Sequence, residues 1–143
     1  MMKSNKKLKP RTDEHSEGKI RISTQSSQNS SLLEHPIFCF RYLSQEKEYS
    51  LSSCQKEQKA AFADTISKLS LLTWQQINSS GRHGSGYEKI SKDSMKPSIP
   101  SHITDDINLI AFRFCGMAPM IGYKEDAIFR VIWLDKGFKA YKH

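Results

Sequence analysis

"INLIAFRFCGMAPMIGYKEDAIFRVIWLD", residues 107–135, is the stretch on which the reading of the fold turns. In "INLIAFRF" (107–114), Ile110, Phe112 and Phe114 alternate with Leu109, Ala111 and Arg113, the period of two that a β-strand imposes on its side chains. "GMAP" breaks the pattern as a turn, "MIGY" (120–123) resumes it briefly, and "KEDA" turns the chain again. "IFRVIWLD" (128–135) is apolar at odd and even positions alike, as expected of a central strand covered on both faces. "KGF" is a third tight turn, leading into a last short strand, "KAYKH", at the C-terminus. Three or four strands joined by such short turns form an antiparallel meander.

Upstream the period changes. "HPIFCFRYL" (35–43) places Phe38, Phe40 and Tyr42 opposite Ile37, Cys39 and Arg41, a strand with apolar residues on both faces and so not a bare edge. "SQEKEYSLSS" is a polar connection ending in serines placed to cap a helix. From Cys54 to Leu72, Phe62, Ile66, Leu69 and Leu72 form one apolar stripe at helical spacing, with Lys56, Lys59, Asp64 and Lys68 left to water. "TWQQ" (73–76) fits a capping box, Thr73 as cap and Gln76 reaching back, opening a second short helix with Trp74 and Ile77. "SKDSMKPSIPSHITDD" reads as a loop, because Pro97 and Pro100 forbid regular structure. The predicted class is α+β, with two N-terminal helices packed on an antiparallel sheet that ends in the meander. Trp74, Phe129 and Trp133 are predicted core residues.

A chain of 143 residues fits one domain. Residues 1–31 hold no Phe, Trp or Tyr and a single Leu, and are rich in Ser, Gln, Lys and Asn. Such a segment cannot bury enough apolar surface to offset its ordering entropy, so it is predicted to be a disordered basic tail, in which "GKIRIS" is able to form a short strand. The single domain is then 32–143, with every aromatic Phe, Trp and Tyr. The formal charge of +7 favours contact with a polyanion such as RNA. Cys39, Cys54 and Cys115 lack CxxC spacing and the five histidines show no paired spacing, which argues against zinc. With no signal peptide and no apolar run near the roughly 20 residues of a membrane span, the expectation is a cytoplasmic protein with reduced thiols.

The order strand, helix, helix, meander resembles the RelE/ParE toxin superfamily, small basic bacterial proteins whose open sheet holds RNA or a partner protein. "GSGYEKI" (84–90) looks like the glycine-rich turn and carboxylate that precede the meander in YoeB-like members. "IFRVIWLDKGFKAYKH" (128–143) is similar to the last hairpin of such a toxin, with Tyr141 and His143 where YoeB-like proteins keep a tyrosine and a histidine. The resemblance implies a toxin of a toxin–antitoxin system, a metal-independent endoribonuclease without cofactors that cuts mRNA, free or at the ribosome, and is silenced by an antitoxin protein. It departs from the family at Met120, where the middle meander strand usually carries the arginine that neutralises the scissile phosphate. Arg113, Lys124 or Arg130 takes over that role, or the chain is a non-catalytic module of the same fold. That alternative covers a ParE-like inhibitor and a subunit of a phage-defence or prophage complex.

RNA cleavage by 2′-OH attack needs a base, a cation for the phosphate and an acid for the leaving oxygen. Glu88 is the candidate base, carried by a glycine-flanked turn that swings it to a sheet edge. Arg113 and Arg130 lie in apolar strands, where a guanidinium must find water, a carboxylate or a ligand. Tyr141 and His143 are candidates to stack on a base and donate a proton. Arg41, Arg82, His83, Lys89 and Lys124 are the further RNA-binding candidates. A phosphate cradle at "GRHGSG" is rejected: it lacks both the GxGxxG spacing and the Walker lysine, and no helix follows.

Overall fold

A computed structural model of the chain describes residues 31–81 and 84–142. The expectation for the tail, residue 31 apart, therefore lies outside the described residues. From Ile37 onward the described elements follow in the order β1 (Ile37–Cys39), α1 (Lys56–Ser70), α2 (Trp74–Ser79), β2 (Glu88–Ile90), a 3-10 turn (Lys92–Ser94), β3 (Leu109–Cys115), β4 (Ala118–Glu125) and β5 (Ile128–Leu134). The protein is α+β, with one five-stranded sheet in the order β1-β5-β4-β3-β2.

The sheet is mixed, whereas the sequence predicted an antiparallel one. Strands β2 to β5 run antiparallel to their neighbours, but β1 lies parallel to β5. The helices carry the chain from β1 at one edge to β2 at the other, and the meander walks back. "HPIFCFRYL" yields only three strand residues, and they form an edge after all, with Ile37 59% exposed. The alternation does not continue past Cys39: Phe40, Arg41 and Tyr42 are all exposed.

Two tight turns shape the meander. Gly116 and Met117 connect β3 to β4, with Gly116 at φ +58°, and Asp126 and Ala127 connect β4 to β5, with Asp126 at φ 54°. Both use the left-handed conformation that twisted two-residue hairpins require. β4 is longer than predicted at both ends, because Ala118 and Pro119, and Lys124 and Glu125, belong to the strand rather than to the turns. Residues 139–142, the described part of "KAYKH", form no strand; they contribute one isolated bridge, Met95 to Tyr141.

Helices pack on one face. Phe62 and Leu69 of α1, with Trp74 and Ile77 of α2, meet Phe112, Met120 and Phe129 in the first core. Trp74 and Phe129 are fully buried and Trp133 nearly so. α1 opens at Gln55, whose N–H donates to Oε1 of Gln58 at 2.8 Å, so the preceding serines are not its cap. At α2 the capping box forms as read: Gln76 N–H donates to Thr73 Oγ1 at 3.2 Å, and Thr73 N–H to Gln76 Oε1 at 2.9 Å. The indole N–H of Trp74 donates to Ala127 O at 2.9 Å, tying α2 to the β4–β5 turn.

The second face carries its own core. Tyr49, Ile103, Ile121, Ile132 and Trp133 fill much of it. A bulge opposite Ile121 and Gly122 turns two successive β5 residues, Ile132 and Trp133, to this side. No helix among the described residues is long and apolar enough to cross a membrane.

Candidate active site

Glu88 is the first residue of β2, delivered by a closed loop rather than a free hinge. The amides of Gly84 and Gly86 both donate to Gly81 O, at 2.9 and 3.1 Å. A Cβ on Gly86 would stand 2.2 Å from Ser80 O, so only glycine permits this approach. Tyr87 anchors the exit: its hydroxyl donates to Asn78 Oδ1 at 2.9 Å and its ring packs edge-on against Phe112. Alternation along the strand sends Tyr87 to the helical side and Glu88 to the other.

Across the ladder Glu88 faces Ala111, which leaves room above it. Arg113 lies two residues further along β3 on the same face, the diagonal position a long side chain can span. Its Nη2 comes to 3.6 Å from Glu88 Oε1. Nη1 donates to Met117 O in the adjoining hairpin turn, and the guanidinium sits 5.7 Å over the Phe138 ring. Its buried Nε has no hydrogen-bond partner among the described residues. An unmet donor of this kind costs about 1–3 kcal/mol. Both side chains of the pair stay accessible, about one fifth exposed.

Tyr141 completes the group: its hydroxyl donates to Glu88 Oε1 at 2.7 Å. Burial, with the Glu88 carboxylate beside it, pushes the phenol well above its usual range, and Arg113 opposes that shift only in part. The phenol is therefore locked in its proton-carrying form at neutral pH. Tyr141 is 5% exposed, which corrects the expectation that it stacks on a base. It orients Glu88.

Asp135 holds Tyr141 in place, a role the sequence reading missed. Buried at 1% exposure, its carboxylate accepts the amides of Lys139 at 2.7 Å and Ala140 at 2.8 Å. Lys96 N–H donates to Ala140 O at 2.7 Å from the other side. The signal was an aspartate closing an apolar run just before a "KG" turn, the setting in which its side chain satisfies the backbone that follows.

The remaining candidates do not join this corner. Arg130 shares the sheet face but lies on β5, where its Nε donates to Glu125 at 2.8 Å and Nη1 contacts Cys39 Sγ at 3.2 Å. A carboxylate next to the hairpin turn claims it first. Lys124 lies on the opposite, helical face, with Nζ 5.2 Å over the Trp74 ring and 3.5 Å from Ser31 Oγ; burial lowers its pKa. Exposed Lys89 also projects to that side, and the two lysines line a cleft of about 460 Å³ with Tyr87, Asp106 and Asn108. Arg41 is exposed beside Tyr42. Arg82, His83 and His143 lie outside the described residues. The open sheet face that the resemblance implies is thus largely filled, with Glu88 and Arg113 accessible at one corner of it.

Met120 needs a new reading. It is fully buried on the helical side, paired with Phe112, so it does not stand where a phosphate would lie. The β4 residue in the row of Glu88 and Ala111 is Ile121, also buried. The cation next to the carboxylate comes from β3, as Arg113. Compared with protein-family models, curated proteins and solved structures, the chain gives no significant match to any of them.

Proposed function

We propose that the chain is a metal-independent endoribonuclease of RelE-like arrangement, the toxin of a toxin–antitoxin pair that cuts mRNA. What supports it most is one observation: a carboxylate oxygen of Glu88 receives the Tyr141 hydroxyl at 2.7 Å with the Arg113 guanidinium 3.6 Å away, on an accessible corner of the sheet. In this reading Glu88 removes the proton of a ribose 2′-OH, and O2′ attacks the adjacent phosphorus. The P–O5′ bond breaks to leave a 2′,3′-cyclic phosphate; the leaving O5′ takes a proton from solvent water to become the 5′-hydroxyl, and Glu88 returns the proton it gained to solvent. Arg113 turns from Glu88 to the phosphate as negative charge builds on its oxygens, a task for which a planar fork of donors is suited. Tyr141, whose hydroxyl is engaged by Glu88, holds the carboxylate in line. The basic balance of the chain favours the polyanion in encounter.

A second reading, a non-catalytic module on the same fold, draws on the filling of the second face by Tyr49, Ile103 and Trp133, which leaves RNA only a corner. Induced expression in a bacterial host separates the two. The nuclease reading expects growth arrest by the wild type and its loss in Glu88→Gln and Arg113→Ala, with Lys59→Ala on α1 still toxic. Arrest by Glu88→Gln equal to that of the wild type overturns it in favour of the second reading.

A further inference from the structure

Far from the Glu88 corner, the same sheet face carries a second cluster that the cleavage chemistry does not use. Tyr42, 38% exposed just after β1, stacks on the exposed His102 ring at 4.1 Å between centroids, with the planes 33° apart. The guanidiniums of Arg41 and Arg130 stand 5.5 and 5.7 Å from the Tyr42 ring. Behind His102 the buried Tyr123 lies at 5.9 Å and closes the back of the group. Two guanidiniums and an imidazole around a solvent-facing phenol form an unusual surface. An aromatic placed only for packing would be covered, and arginines placed only for solubility would point away from the ring.

We propose that this cluster is a second RNA subsite, where an unpaired base of single-stranded RNA extends the Tyr42–His102 stack and Arg41 takes the adjoining phosphate. The proposal rests on the endoribonuclease reading for its ligand, and it relocates Arg130 from the reacting phosphate to substrate holding. Glu125 offsets the charge of Arg130 at 2.8 Å, so Arg130 serves mainly as a planar stacking and positioning group. Arg41 is the cation left for phosphate. Bases splayed from single strands are typically held on tyrosine, histidine and arginine planes, with sequence-tolerant stacking as the main contribution. From β2, which bears Glu88, to β5, which bears Arg130, there are three strand spacings, roughly 14 Å, a span of a few nucleotides. The two sites lie on one side of the sheet with the segments of Tyr49 and Ile103 packed over that face, so a single strand reaches both by passing over that cover. Such a subsite selects single-stranded over duplex RNA, because a paired base is not free to enter the stack.

The test uses the full chain with Glu88→Gln, to prevent cleavage, and measures anisotropy of a fluorescently labelled unstructured RNA. Tyr42→Ala is expected to weaken binding about tenfold, as loss of one stacked base does. Tyr42→Phe, which keeps the ring, is expected to bind as the parent. Arg41→Ala is expected to weaken binding and lower the salt dependence by about one phosphate contact, while Lys59→Ala on α1 changes little. If the parent binds RNA and Tyr42→Ala and Arg41→Ala bind equally well, the subsite is wrong and the cleavage centre is untouched. If the parent binds no RNA at all, both readings fall. Should Tyr42→Ala not fold, His102→Ala and Arg41→Ala carry the same test.

Discussion

The hydroxyl of Tyr141 donates to Oε1 of Glu88 at 2.7 Å, joining residues 53 positions apart in the chain. The bond binds the C-terminal segment to the sheet edge and fixes the direction in which the carboxylate points. Tyr141→Phe deletes this donor and keeps the ring. Urea unfolding is expected to show a loss of about 1–2 kcal/mol, accompanied by a fall in RNA cleavage of roughly tenfold as Glu88 loses its orientation. Unchanged stability would mean that the bond does not form in solution.

The same bond sets a dependence on pH. Tyr141 has a folded pKa above its ordinary value of 10, because burial and the Glu88 carboxylate disfavour the phenolate. A group raised on folding contributes stability that is complete below its unfolded pKa and disappears as pH rises through the folded one. Stability is therefore expected to decline above about pH 10, less steeply in Tyr141→Phe. Tyrosinate absorbance followed through the same range identifies the group, and identical slopes for the two proteins would count against it.

Asp135 is a positioning residue, and Asp135→Ala leaves the amides of Lys139 and Ala140 without their acceptor. At 1% exposure no water takes over the task. Denaturant unfolding is expected to show a loss of about 3 kcal/mol, the range for charge-assisted bonds to buried donors. A loss below about 0.5 kcal/mol, typical of surface substitutions, would refute the role.

Two glycines of the same loop are expected to behave oppositely. Gly86→Ala places a methyl group 2.2 Å from Ser80 O and 2.8 Å from Gly81 O, so the loop must open, at roughly 1–3 kcal/mol. Gly81→Ala meets nothing within 4 Å and is expected to stay within about 0.5 kcal/mol of the parent. Equal midpoints in urea for the two variants would show that the loop is not closed as described.

Met120→Arg, which would restore the arginine expected on the middle meander strand, is expected to unfold the protein rather than activate it. Met120 is fully buried between Phe112 and the helices, and an unpaired charge there costs several kcal/mol. Soluble, cooperatively folding Met120→Arg would contradict the assignment of that position to the core.

The elements legible in the sequence were those specified locally. The stripe from Phe62 to Leu69, the Thr73–Gln76 capping box and the two faces of β3 each arise from neighbours within a few residues, and they appear where the spacing placed them, although the helix itself ends at Ser70, before Leu72. What was not legible depends on partners distant in sequence. Whether "HPIFCFRYL" sits inside the sheet or at its edge is decided by the crossover of the helices, which its alternation does not record. Pro119 read as a turn residue, yet it lies in β4 beside a register shift, where its missing amide is tolerated, and its carbonyl accepts Asp135 N–H at 2.9 Å. Glu88, Arg113 and Tyr141 were each chosen for their own chemistry. That those three meet, while Arg130 pairs with Glu125, follows from strand register and the bulge at Ile132.

Single-turnover cleavage of an unstructured RNA in the presence of a metal chelator, comparing the wild type with Glu88→Gln, tests the central claim most directly. The account predicts cleavage by the wild type with 2′,3′-cyclic phosphate ends and a loss of at least about a hundredfold in Glu88→Gln, the usual contribution of a positioned base, with RNA binding retained. Cleavage by Glu88→Gln at the rate of the wild type, or no cleavage by a folded wild type that binds the RNA, would contradict it.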